Sequence, residues 1–351
     1  MAAVTRDQKE TLYRDGFVVL PGVIPAGHVA QARRSIFAAI GRQRADALAL
    51  GRDPDAEQAK QAAESARMST GAGGAGVFMD LFHATPLAAI VQELIGDVLP
   101  VRGCQLPTNF PTDPGDHINE SGYPDRDTPF HGWHGHLDGL WNGAAPMHQR
   151  TDRKMTAAES EAWFQDPSRN GCRRAFPEHA TNIMGFTALV AVALSDQTEE
   201  GSGNLGLLKG AHHRMERFFQ EQRDAGGPLG PDGPGWPRID TDAPNGNGLR
   251  HYPDAVRNAF PDGGTTTADG KFWPRPTQVK MAPGDAAIVL HAVPHCATRV
   301  AGTEPRLIAY FRITSAARPE ANHRVHPDAL CDIWSEWPGM ADVVHAHRTA
   351  T

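Results

Sequence analysis

The stretch that decides the fold is MAPGDAAIVLHAVPHCATRVAGTEPRLIAYFRI, residues 281–313. A Gly-Asp turn opens an apolar run at 286–292, and a second apolar run follows at 306–313. Short apolar runs bounded by turn residues are typical of β-strands. The stretch therefore predicts two strands joined by a segment that contains histidine.

His295 and Arg306 lie eleven residues apart in this stretch, and the pair suggests a chemical use. A metal ion on His295 would chelate the 2-oxo acid end of 2-oxoglutarate. An arginine on the following strand would pair with the far carboxylate as a bidentate fork. The spacing thus predicts a metal site with a dicarboxylate co-substrate.

A second motif, His136-Leu137-Asp138, lies within HGWHGHLDGLW at 131–141. In a strand, residues two apart point to the same side, so the imidazole and the carboxylate can bind one ion. A distant histidine completes a 2-His-1-carboxylate triad, which leaves open positions and suits non-haem Fe(II) and O2. We therefore predict that the metal ligands are His136, Asp138 and His295.

Other side chains compete for these roles. His131 and His134 flank His136, but only His136 is two residues from an acid. His291 precedes His295 and is interpreted as a structural residue. Arg312 lies on the same face of its predicted strand as Arg306, and we expect it to form an ordinary salt bridge at the rim.

The order of predicted elements favours an α+β fold. Helical patterns cover 5–14, 25–46 and 84–97, and short apolar segments then alternate with turns at 99–110, 183–195, 204–208, 286–292 and 306–313. Helices followed by many short strands are typical of a β-core with helices packed outside it.

We predict a single domain, 1–351, with three parts. These are an N-terminal helical part at 1–98, a β-core at 99–315 and a C-terminal extension at 316–351. Two polar, turn-dense stretches, 142–180 and 214–279, interrupt the core as insertions. Long loops in one domain are usually binding loops or lids, so we expect both to lie near the mouth of the site.

The composition excludes several classes of partner. The formal net charge is −7 without a long basic run, which disfavours nucleic acid. No apolar run reaches membrane-spanning length, and no secretory signal opens the chain, so we expect a cytoplasmic protein without a membrane partner. The four cysteines form no CxxC pair, as expected for a reducing compartment.

Five segments together resemble the phytanoyl-CoA dioxygenase family. They are GFVVLPGVIP at 16–25, LAAIVQELIG at 87–96, HLD at 136–138, GSGNLGLLKGAH at 201–212, and GDAAIVLHAVPH at 284–295 with Arg306. They occur in the family's order and cover about half of the chain. The resemblance implies a double-stranded β-helix (jelly-roll, cupin-like) core with flanking helices, Fe(II), 2-oxoglutarate and O2.

The resemblance also implies roles for individual residues. His136, Asp138 and His295 would be catalytic metal ligands, and Arg306 would bind 2-oxoglutarate. QLPTNFP, 105–111, is similar to a family stretch that touches the co-substrate or substrate, which suggests Gln105 and Asn109. Family members often have a hydroxyl residue where this chain has Ala297, so Thr298 is a candidate substitute. Trp141 follows the HxD strand and is a candidate for the substrate pocket.

The expected activity is hydroxylation of an aliphatic carbon in a small molecule, with release of succinate and CO2. Desaturation or epoxidation would use the same ligands, whereas halogenation is disfavoured because Asp138 fills the halide position. A cupin-like metal-binding or sensor protein and a zinc hydrolase remain alternatives. The arginines of 142–180 suggest an anionic substrate, and we expect a monomer or homodimer.

Overall fold

The computed structural model describes residues 4–51, 67–69, 73–113, 129–138, 186–226, 229–230, 233–236, 252–268, 270–318 and 327–350. The helices are α1 (Arg6–Asp15), α2 (Ala26–Ala49), α3 (Gly76–His83), α4 (Leu87–Ile95), α5 (Pro129–Gly132), α6 (Ala211–Asp224), α7 (Asp254–Arg257), α8 (Pro327–Cys331), a 3-10 helix (Pro338–Met340) and α9 (Ala341–Thr349). The strands are β1 (Phe17–Leu20), β2 (Arg67–Ser69), β3 (Pro107–Asn109), β4 (Ala188–Ala193), β5 (Leu205–Leu207), β6 (Thr265–Thr266), β7 (Phe272–Trp273), β8 (Thr277–Gln278), β9 (Ala286–Leu290), β10 (His295–Ala297) and β11 (Arg306–Ile313). The fold is mixed, with helices and antiparallel sheets.

A six-stranded antiparallel sheet forms the centre, with strand order β1-β9-β4-β11-β3-β2. The sequences ALVAVA of β4 and AAIVL of β9 are buried along their whole length. Uninterrupted apolar runs of this kind fit strands that are covered on both faces. Residues of α2 and α4 belong to the same hydrophobic cluster as these strands, so helices cover the sheet.

The N-terminal segment is built into this sheet. A capping box begins α1, in which the Thr5 hydroxyl accepts from the Gln8 amide and the Gln8 side chain accepts from Thr5 N–H. Gly16 ends the helix with a φ of 81°, and a Cβ there would lie 2.5 Å from His212 Nδ1. Only glycine fits this turn, which directs β1 into its antiparallel pairing with β9.

A three-stranded antiparallel sheet, β10-β5-β8, carries the segment that contains the HxD motif. The buried Trp133 donates its indole N–H to the Gly206 carbonyl on β5, at 3.0 Å. A Cβ on Gly206 would lie 2.4 Å from the Trp133 ring, so the glycine permits this close packing. The contact holds Trp133 against β5, and the antiparallel bridge between His136 and His295 places the HxD motif beside β10.

The structure differs from the sequence interpretation in two respects. Strands β1 and β2 lie within 1–98, so the N-terminal part is not purely helical. The stretch 214–279, expected to be one turn-dense insertion, begins inside α6 and ends beyond β8, which pairs with β5. The other expected insertion, 142–180, lies outside the described residues. Within the described part of the chain, no helix is both long enough and apolar enough to span a membrane.

Candidate metal centre

Three side chains converge at the edge of the small sheet. The potential ligand atoms of His136, Asp138 and His295 all lie within 4.8 Å of one another. Two backbone hydrogen bonds of 2.9 Å join His136 and His295, each residue donating its N–H to the carbonyl of the other. The Asp138 carboxylate lies 3.9 Å from His136 Nε2 and 3.8 Å from His295 Nε2. Two imidazoles and one carboxylate are the donor set of non-haem Fe(II) sites.

The His295 ring is oriented and neutral, as a metal ligand must be. Its Nδ1 lies 3.0 Å from the Val293 carbonyl, which accepts a hydrogen bond when Nδ1 carries the proton. That tautomer leaves the lone pair of Nε2 facing Asp138. Burial, together with the neighbouring His136, lowers the pKa of His295 to about 4, although Asp138 acts to raise it.

Asp138 supplies the negative charge of the site, and Arg312 is its cationic neighbour. Arg312 Nη2 lies 3.4 Å from Asp138 Oδ2. Burial raises the pKa of the Asp138 carboxyl, but His295, His136 and Arg312 lower it by more, so it falls below its ordinary value. Because His295 is neutral at pH 7, the guanidinium of Arg312 provides the positive charge next to Asp138.

The candidate co-substrate arginine, Arg306, is 1% exposed at the start of β11. Its Nη2 donates a short hydrogen bond to the Tyr310 hydroxyl, on the same face of the strand. Asn109 is its register partner on β3, and the Asn109 Oδ1 is buried with no hydrogen-bond partner among the described residues. An unsatisfied buried amide beside a buried guanidinium fits a polar ligand.

Two further candidate residues have clear positions. Gln105 forms a β-bridge with Tyr310, and its Oε1 accepts a hydrogen bond of 3.1 Å from Arg312. The Thr298 hydroxyl lies 3.2 Å from the Asn204 carbonyl, and Thr298 is three residues from His295. Thr298 directly follows β10, and its hydroxyl also lies 3.4 Å from Gln278 Oε1. Its contact with the co-substrate stays a prediction. Trp141 lies outside the described residues.

A second set of potential ligands adjoins the triad, and the sequence interpretation missed it. His134, His136 and Cys296 bring their ligand atoms within 4.8 Å of one another. The Cys296 sulfur lies 3.5 Å from His134 Nδ1. Burial raises the pKa of this thiol, but His134 and His136 lower it more strongly, to about 6. Thiolate and imidazole ligands favour softer metal ions than a triad that contains a carboxylate does. In the sequence, the position of Cys296 directly after His295 was the signal that could have revealed this second set.

The remaining competing histidines lie elsewhere. His291 is buried near the charged pair Arg318 and Glu336. His131 lies with Phe130 in the turn before the HxD motif, where the two residues have φ angles of 55° and 58°. Non-glycine residues in this region store about 1–3 kcal/mol of strain each, which often marks functional segments. Nothing in the sequence signals this conformation.

No protein-family profile and no curated protein matches the sequence. Among solved structures, the non-heme alpha-ketoglutarate-dependent epimerase SnoN from nogalamycin biosynthesis is 18% identical, with a TM-score of 0.41 and coverage of 88% of this chain and 82% of that chain. HygX from Streptomyces hygroscopicus, solved with nickel and 2-oxoglutarate, is 17% identical, with a TM-score of 0.43 and coverage of 90% and 89%. AviO1 from Streptomyces viridochromogenes Tue57 is 15% identical, with a TM-score of 0.41 and coverage of 92% and 100%. Similarities this distant do not assign a fold or a function.

Proposed function

We propose that this protein is an Fe(II)- and 2-oxoglutarate-dependent oxygenase that hydroxylates an aliphatic carbon of a small molecule, releasing succinate and CO2. The observation that carries the proposal is the convergence of His136, Asp138 and His295 on one site. The two antiparallel sheets would then be the two halves of a jelly roll of the phytanoyl-CoA dioxygenase type. The free thiols of Cys104, Cys296 and Cys331 fit a cytoplasmic location.

The ligand residues would hold the metal in a fixed orientation. Val293 aligns His295, and the backbone bridge keeps His136 opposite it. Arg312 donates a hydrogen bond of 3.4 Å to Asp138 Oδ2, so the carboxylate has a cationic neighbour. When bound, Fe(II) supplies the activation of O2 that side chains alone do not provide.

Arg306 and Asn109 would bind the end of 2-oxoglutarate that is far from the metal. A guanidinium pairs with a carboxylate as a fork. The side-chain NH2 of Asn109 would donate to the same carboxylate, because its buried Oδ1 can only accept. The buried side chains of Trp133 and Leu137 exclude water beside the ligand segment. Electrostatic attraction is stronger in such a low-dielectric site than in water.

The alternative of a metal-binding protein without turnover accounts for the triad only. It gives no use to Arg306 beside the unsatisfied Asn109. Desaturation and epoxidation would use the same residues as hydroxylation, and the proposal selects hydroxylation as the simplest outcome. Asp138 occupies the position that a halide would need, which disfavours halogenation.

The test is succinate formation by purified protein with Fe(II), 2-oxoglutarate, O2 and a panel of small acids, amines and alcohols. We expect at least one compound to raise succinate release, with one hydroxylated product per succinate. Omission of iron and the Asp138→Ala variant should both abolish the signal. The proposal would be wrong if no compound stimulates succinate release and the metal-loaded protein also fails to bind 2-oxoglutarate in calorimetry.

A further inference from the structure

A cavity of about 420 Å³ opens beside the candidate metal centre. Its described lining includes Arg102, Cys104, Gln105, Tyr310 and Arg312. The volume lies within the range of small-molecule sites, about 300–1,000 Å³. Through Arg312 the cavity is in contact with the carboxylate of Asp138. A molecule that fills it would therefore be separated from the proposed metal ligand Asp138 by the Arg312 side chain alone.

The cavity is electropositive. Two guanidinium groups, those of Arg102 and Arg312, line it, and no acidic residue is among its described lining. Burial raises the pKa of the Cys104 thiol to about 12, so this side chain adds no negative charge. Planar guanidinium groups pair best with carboxylates and phosphates.

Arg312 is placed to serve both the cavity and the metal ligand. One of its nitrogens lies 3.4 Å from Asp138 Oδ2, and the other lies 3.1 Å from Gln105 Oε1 in the cavity wall. The first distance is long for a charge-assisted hydrogen bond, which is usually about 2.7–2.9 Å. The side chain is 45% exposed, so the pair can separate without a large desolvation change.

Metal binding changes the balance of charge at Arg312. A divalent ion on the triad shares the negative charge of Asp138 and repels the guanidinium. With 2-oxoglutarate also bound, its two negative charges and that of Asp138 are offset by the ion and Arg306. The positive charge of Arg312 then has no counterpart among these groups, and an anion in the cavity would supply one.

We propose that this cavity binds an anionic group of the substrate, a carboxylate or a phosphate, and that Arg312 and Arg102 hold it. This inference rests on the proposed function and specifies its substrate class. Arg312 contacts Asp138 in the structure, and with metal, co-substrate and substrate bound it would pair with the substrate anion. The substrate is thus a small acid or a phosphate ester rather than a neutral or cationic molecule.

The test uses calorimetry on protein loaded with Ni2+, which is inert toward O2, and saturated with 2-oxoglutarate at low ionic strength. Inorganic phosphate and acetate are titrated separately, which distinguishes the two kinds of anion. We expect at least one of them to bind with one-to-one stoichiometry. Because a charge-assisted hydrogen bond contributes about 1.5–3 kcal/mol, Arg312→Gln should weaken this binding at least about tenfold.

Arg102→Gln should weaken the same binding, and Arg34→Gln, at an exposed arginine on α2, is the matched control and should not. Equal anion affinity in wild type and Arg312→Gln would overturn the inference, because the anion would then bind the metal or another site. Failure of the loaded wild type to bind either anion would also overturn it. A loss of 2-oxoglutarate affinity in Arg312→Gln with unchanged anion binding would assign the cavity to the co-substrate instead.

Binding of Ni2+ and 2-oxoglutarate is measured first in the same protein. If the wild type binds neither, the proposed function itself is wrong, and the inference falls with it. If both bind and the anion titrations fail, only the inference is wrong. The two failures are therefore distinguishable.

Discussion

Two arginine–carboxylate pairs show what distinguishes a structural contact from a functional one. Arg318 forms a fork with Glu336, with nitrogen–oxygen distances of 2.6 and 2.7 Å and side chains 0% and 9% exposed. Arg312 and Asp138 are 3.4 Å apart, with side chains 45% and 21% exposed. The Arg318–Glu336 pair thus has short nitrogen–oxygen distances and is buried, whereas the Arg312–Asp138 pair has a longer distance and is partly exposed to solvent.

The surroundings explain the difference. Thr187 donates a third hydrogen bond to Glu336, at 2.6 Å, so the carboxylate of the buried pair is fully occupied. Asp138 faces two imidazoles at 3.8 and 3.9 Å, which is too far for hydrogen bonds. The carboxylate of Glu336 is therefore engaged on both oxygens, whereas Asp138 faces the two imidazoles with which it would share the proposed metal.

The largest effect is expected from Asp138→Ala. Removing the only carboxylate of the triad should lower the affinity for Fe(II) at least about 100-fold, since even residues that merely orient ligands contribute 10–100-fold. Succinate formation should fall below detection. Asp224→Ala, at an exposed residue at the end of α6, is the control and should retain both properties. Near wild-type iron content in Asp138→Ala would refute the ligand assignment.

Glu336→Gln should act on stability instead of on metal binding. Breaking a buried pair leaves the Arg318 charge without its counter-charge, which typically costs about 3–5 kcal/mol. Urea denaturation should show that loss in the free energy of unfolding, while iron affinity in the folded protein stays unchanged. A loss of iron affinity in Glu336→Gln, with little change in the free energy of unfolding, would show that the Arg318–Glu336 pair serves the metal site and not stability.

The same carboxylate predicts a pH dependence of stability. Burial raises the pKa of Glu336, but the hydrogen bonds and charge of Arg318 lower it by more, to below its ordinary value of 4.5. The contribution of the Glu336 carboxylate to the free energy of unfolding is therefore fully present above pH 4.5. It is lost as the pH falls through the lowered pKa of the folded state. The difference in unfolding free energy between wild type and Glu336→Gln should shrink below pH 4.5. A difference that stays constant down to acid unfolding would contradict this assignment.

Arg306→Ala should affect the co-substrate and leave metal affinity nearly intact. Loss of one partner of a buried charge pair corresponds to a rise in the KM for 2-oxoglutarate of about 100-fold or more. Steady-state succinate assays at varied 2-oxoglutarate give this value. An unchanged KM, with a large rise in Arg312→Ala, would show that the other arginine binds the co-substrate.

The smallest effect is expected at an exposed ion pair. Arg275 and Glu200 lie 3.3 Å apart with side chains 54% and 45% exposed. Glu200→Gln should lower the free energy of unfolding by less than about 1 kcal/mol, because water screens such pairs. A loss of unfolding free energy as large as that in Glu336→Gln would mean that burial does not distinguish strongly stabilising ion pairs from weakly stabilising ones.

Local patterns in the sequence predicted much of the fold. The apolar runs of β4, β9 and β11 and the helical periodicity of α1 and α4 depend on near neighbours, and these elements are confirmed. The pairing of β1 with β9 was not predicted, because it joins segments that are remote in the chain and has no local signal.

At the candidate site, spacing predicted the convergence of His136, Asp138 and His295, which the structure brings together, but it did not predict their neighbours. The i and i+2 positions of His136 and Asp138 fix a common face, which the sequence shows directly. The contact of Arg312 with Asp138 depends on how two distant segments meet, so the sequence interpretation as a rim salt bridge missed its partner.

The metal site is tested most directly by anomalous X-ray diffraction at the iron absorption edge from crystals grown anaerobically with Fe(II). We predict one strong peak, about 2.1 Å from His136 Nε2, Asp138 and His295 Nε2. A peak between His134 and Cys296, or no peak near Asp138, would contradict the assignment of the triad as the metal centre.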